Sequence, residues 1–83
     1  MKLKAINPGS KQKEYLLTVE QDGSDSVHEV EVFDHGGIRG VSFRGELREL
    51  QHKNPIPFKS VVTLIIRFVN GENISLPYDF GDL

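Results

Sequence analysis

The 83-residue sequence predicts a mainly β fold: a small antiparallel sheet or partly open barrel of five to six strands, with at most one short helix. Three observations carry this expectation. Alanine, the best helix former, occurs once, against eight Val, six Ile and five Phe, residue types that favour a pleated, half-buried surface. Eight Gly and four Pro interrupt the chain at short intervals, as turns between short elements require. Segments 14–21 and 27–34 alternate apolar and polar residues with the period of two that separates the faces of a strand. The alternative is an α+β arrangement, with a helix at about 43–52 packed on a four-stranded sheet.

Taken in order, Leu3 and Ala5 alternate with Lys2, Lys4 and Ile6, a short first strand. Asn7 to Lys13 is a loop by its turn chemistry. Glu14–Gln21 is a strand with Tyr15, Leu17 and Val19 on one face, and Val27–Asp34 a second with Val30 and Val32 inward. The Asp22-Gly23-Ser24-Asp25-Ser26 cluster between them reads as a five-residue hairpin loop. After the turn at Asp34-His35-Gly36-Gly37, residues 41–52 fit both periods: Val41 and Phe43 alternate, while Phe43, Leu47 and Leu50 fall at i, i+4 and i+7. Gly45 divides the segment into a bent strand followed by a helical turn over Glu46–His52.

Lys53 to Pro57 reads as irregular, because two prolines remove two donors and extend the residues before them. Ser60–Val69 reads as a central strand, apolar on both faces, and Asn73–Phe80 as an edge strand in which Pro77 cannot donate. Asn70-Gly71 would join these two as a hairpin, through either a two-residue turn or a three-residue loop with Gly71 left-handed. Burial of the richer apolar face favours the latter. The expected core is Leu17, Val19, Val30, Val32, Leu64, Ile66, Phe68 and Leu76. The strand order is similar to that of oligonucleotide-binding barrels, a likeness of topology that implies no function.

A chain of this length is expected to form one domain, residues 1–83. With no cysteine, disulfides and thiolate chemistry are excluded. No apolar run approaches the roughly 18 residues of a membrane span. The opening Lys2 and Lys4 are followed by Asn7-Pro8-Gly9 rather than an apolar stretch, so a cytoplasmic protein is expected, such as a bacterial or phage accessory protein. The net charge of −2 hides segregation. Residues 1–13 carry only bases and 14–34 only acids, 35–67 are rich in bases, and 68–83 carry only acids.

His28, His35, His52 and Asp34 match no compact metal-ligand spacing, and no metal or cofactor is expected. No nucleophile is placed beside Asp34-His35, so no catalytic residues are assigned. Gly37-Ile38-Arg39-Gly40 resembles the glycine loop of K-homology domains over about a dozen residues, but Val27–Asp34 alternates as a strand where that family has a helix. The sequence therefore points to a non-enzymatic protein-binding module, a small adaptor, inhibitor or accessory factor. Its expected partner-binding residues are Arg39, Arg44, Arg48, Lys53 and Lys59, with a secondary sheet edge at Leu76 and Tyr78. Arg44 and Arg48, evenly spaced, would share one strand face. The alternative is a nucleic-acid-binding small β-barrel using the same basic stripe, which would need exposed aromatics such as Phe43 or Phe58 for stacking.

Overall fold

Two tight hairpins organise the sheet. Asp22 (φ +52°) and Gly23 (φ +78°) both take the left-handed conformation, the signature of a two-residue type I′ turn whose twist matches that of the flanking strands. Strands β2 (Glu14–Gln21) and β3 (Ser24–His35) therefore pair right up to Gln21 opposite Ser24. The loop has two residues rather than five, because Ser24, Asp25 and Ser26 extend the strand. Gly36 (φ +58°) and Gly37 (φ +84°) repeat the device between β3 and β4 (Ile38–Phe43).

The computed structural model describes residues 1–81. Its five strands form one antiparallel sheet, order β4-β3-β2-β1-β5, curled into a half-barrel. β1 is Lys2–Pro8 and β5 is Tyr78–Asp79. Two helices, α1 (Gly45–Lys53) and α2 (Pro55–Val69), follow β4, and α2 packs against both β4 and β1. The mainly β expectation holds, with a helix beyond the one expected. The first four strands are a plain meander with both helices after the fourth, not between the third and fourth as in the oligonucleotide-binding arrangement.

β1 carries a bulge at Lys4, where the register slips between Leu3 and Ala5. An extra residue resets the alternation, so Leu3 and Ile6 are both buried, whereas strict alternation had turned Ile6 outward.

The largest departure from the sequence reading is α2. Its fifteen residues exceed the usual strand, and Phe58, Val61 and Ile65 are buried at helical spacing. Pro55 and Pro57 lie in the first turn, where the N–H groups they lack would have no intrahelical partner. The irregular stretch of the sequence reading is thus a helix start.

Asn70-Gly71 is a helix stop, not a hairpin. Gly71 is left-handed (φ +83°), its N–H bonds to the Phe68 carbonyl at 3.0 Å, and the Glu72 N–H bonds to Arg67 at 3.0 Å. This pair of bonds is the Schellman cap. We expect Gly71→Ala to cost about 1–2 kcal/mol, since an L side chain is disfavoured there. Chemical denaturation tests this, and a loss below about half a kcal/mol, ordinary for a surface change, would contradict the cap.

The core joins Leu17, Val19, Val30 and Val32, as expected, to Leu3, Phe43, Leu47, Phe58, Val61, Ile65 and Phe80. Leu64, Ile66, Phe68 and Leu76, expected inside, are only partly buried, because their element is helix or non-strand chain. Among the described residues no helix is long and apolar enough to cross a membrane.

Candidate functional site

The five basic residues separate into two groups. Arg39 shares the core-facing side of β4 with Val41 and Phe43 but lies beyond the core. Its Nε donates to Asp34 Oδ1 at 3.0 Å, directly across the ladder, and its Nη1 donates to Asn70 Oδ1 at the end of α2. Arg44 stands at the N-cap of α1, its Nη2 3.1 Å from Glu31 Oε2 and its Nη1 3.6 Å from Glu29 Oε2.

Both arginines thus serve the acidic hairpin. Glu14 faces Glu31, and Glu20 faces Asp25, directly across β2 and β3, pairings that repel. Arg44 relieves the first, and Lys4, 3.2 Å from Asp25, relieves the second. Folding interleaves part of the charge that the linear sequence segregates. Each of these exposed pairs contributes little alone, about 0–1 kcal/mol.

Arg48, Lys53 and Lys59 form the second group. All three are exposed on the helices, and none is in an ion pair among the described residues. Arg44 and Arg48 do not share a strand face, because β4 ends at Phe43 and Arg48 belongs to α1.

Between α1 and α2 runs a groove of about 320 Å³ lined by Gln51, Pro55, Phe58, Lys59 and Val62. Its floor is apolar and Lys59 stands on it. Arg48 lies one helical turn before Gln51, and Lys53 closes α1 just before Pro55. Ile56, next to Pro55, is 72% exposed. Pro55, Ile56 and Val62 escape the sequence reading because residues 53–57 read as irregular and 60–69 as a strand, and Gln51, on the expected helical turn, has no partner helix to form a groove with. The signal that would have found them is Pro55 followed by apolar residues at 58, 61, 62 and 65.

The edge residues Leu76 and Tyr78 are half-buried. Only Tyr78 is in strand, opposite Leu3, and the edge β5 offers is two residues long. Phe43 and Phe58, the aromatics that nucleic-acid stacking would need, are buried.

The histidines are not gathered: His28 and His35 are seven residues apart on β3, and His52 is on α1. Among the described residues no group of three or more His, Asp or Glu side chains is placed to hold a metal. Ser26 Oγ lies 2.8 Å from His28 Nε2, an i, i+2 contact on one strand face that the sequence reading did not single out. Among the described residues no carboxylate orients His28, and neither the α1–α2 groove nor a cavity of about 220 Å³ beside Tyr15 and Arg39 is lined by the pair. That leaves the contact without the third member an activated nucleophile uses. The chain matches no family model, no curated protein and no solved structure.

Proposed function

We propose that the chain is a non-enzymatic protein-binding module that holds an acidic segment of a partner protein on its helical layer. The observation that carries this reading is the apolar α1–α2 groove, with Arg48, Lys53 and Lys59 around it, in no ion pair among the described residues, and exposed Ile56 beside it. An apolar side chain of the partner fills the groove, removing apolar surface from water at about 25 cal/mol per Å². Acidic residues flanking that anchor meet the three bases. Such rim charges act chiefly on the association rate and lose influence as salt rises. Arg39 and Arg44, engaged with Asp34, Glu29 and Glu31, contribute to the hairpin rather than to the partner. An adaptor or inhibitor needs no more chemistry than this.

The test is affinity capture from a lysate of the source organism, with and without nuclease, comparing the native chain with the triple variant R48E/K53E/K59E. Exposed substitutions usually change stability by under about 0.5 kcal/mol each, so the variant should fold. A specific protein should be retained after nuclease, released by salt and lost with the triple variant. Equal retention by the variant would sink the proposal. Loss of the captured protein on nuclease treatment would favour a nucleic-acid partner instead.

A further inference from the structure

The cavity of about 220 Å³ shares no lining residue with the groove. Tyr15, Val32 and Val69 line it together with Gln12 and the charged Lys13, Asp34 and Arg39. Tyr15 is braced edge-on by Phe68, ring centroids 6.3 Å apart.

Lys13 is the telling residue. Its backbone is left-handed (φ +68°), a conformation that suits glycine or asparagine and disfavours a long side chain. The backbone conformation does not itself favour lysine there, which directs attention to its amine. The loop is pinned, since the Lys13 carbonyl accepts the Val32 N–H at 2.8 Å. The Lys13 amine is in no ion pair among the described residues. Arg39 is fixed in direction by Asp34 and Asn70 through Nε and Nη1, which leaves Nη2 to donate.

Two cations against one carboxylate leave a single net positive charge, which suits a monoanion better than a dianion. The volume lies below the roughly 300–1,000 Å³ of drug-sized sites, so the occupant is small. The apolar part of the wall is an aromatic ring and two valines. We propose that this cavity binds a carboxylate borne on a small apolar body, with Lys13 and Arg39 Nη2 as donors to its oxygens. A free organic acid and the C-terminal carboxylate of a peptide present the same chemistry.

Titration of the isotope-labelled chain, followed by amide NMR shifts, tests this with four probes: benzoate, N-acetyl-leucine and the corresponding neutral amides. Both carboxylates should shift the amides of Lys13, Tyr15, Asp34 and Arg39 saturably, with dissociation constants of about a millimolar. The amides should not. Tighter benzoate binding identifies a free acid as the natural ligand class, and tighter N-acetyl-leucine a chain terminus. Lys13→Gly should weaken both at least fivefold without lowering the melting temperature, because glycine takes this backbone conformation freely. Lys13→Asn serves as a second variant tolerant of the same conformation. Unchanged binding in these variants, or shifts that never saturate and move Lys4 and Lys53 equally, would overturn the proposal.

Discussion

Phe58→Ala should remove about 3–5 kcal/mol of stability, the range for truncating a buried aromatic residue. Phe58 is 1% exposed at the start of α2 and sits between two other rings. Phe43 from β4 lies 5.2 Å away, centroid to centroid, at an interplanar angle of 78°, and Phe80 lies 5.7 Å away at 67°. Both are edge-to-face arrangements, worth about 0.5–1.5 kcal/mol each beyond the area they bury. The three rings come from three distant parts of the chain, so one truncation loosens helix, sheet and C-terminal segment together. A domain of this size has total stability of order 5–15 kcal/mol, so the loss is a large fraction of it. The melting temperature should fall by more than about 12 °C, at roughly 4 °C per kcal/mol for a small domain. Phe58→Leu, which keeps most of the volume, should recover a large part. A loss under about 1 kcal/mol would show that the ring is not a junction of the core.

Phe58 also marks where the sequence stopped being readable. The hairpin strands were legible because one face of each is wet. Leu17 and Val19 alternate with Leu16, Thr18 and Glu20, and Val30 and Val32 with Glu29 and Glu31, and burial follows that alternation. α1 was legible because Gly45 separates it from β4 and Leu47 and Leu50 keep helical spacing. α2 was not, because Val61-Val62-Thr63-Leu64-Ile65-Ile66 is apolar at nearly every position, and such a run carries no usable period. Its β-branched residues lean towards strand. Packing across the concave side of the sheet overrides that lean. Asn70-Gly71 compounded the error, since a left-handed glycine after an apolar run ends a helix or turns a hairpin equally well.

The candidate site was legible to the same degree. Composition located the bases, but not which of them meet acids. Arg44 finds Glu29 and Glu31 only because β3 runs antiparallel beside β4 and the chain turns at Gly45. The groove depends on the α1–α2 corner, which two prolines concealed. Lys13 had no signature at all, because a left-handed lysine is a property of the folded loop.

The helical phase of α2 has a sharp consequence at adjacent residues. Ile65→Ala should cost about 2–5 kcal/mol, as for a buried aliphatic truncation, because Ile65 is fully buried. Leu64 is only half-buried, so Leu64→Ala should cost markedly less, about 1 kcal/mol, near the centre of the general mutational range. Helix propensity works slightly against both losses, since alanine is the better helix former by at most about 0.7 kcal/mol. That offset is somewhat larger for β-branched isoleucine than for leucine, so it narrows the contrast without reversing it. A strand over the same residues would set Leu64 and Ile66 together on the inner face and Ile65 on the opposite one. The order of the two losses therefore distinguishes the two structures. Urea denaturation of the pair, with equal slopes to confirm the same unfolded state, gives the comparison directly. If Leu64→Ala proves as costly as Ile65→Ala or more so, residues 60–69 do not present the face that α2 requires, and the groove built on Pro55, Phe58 and Val62 fails with it.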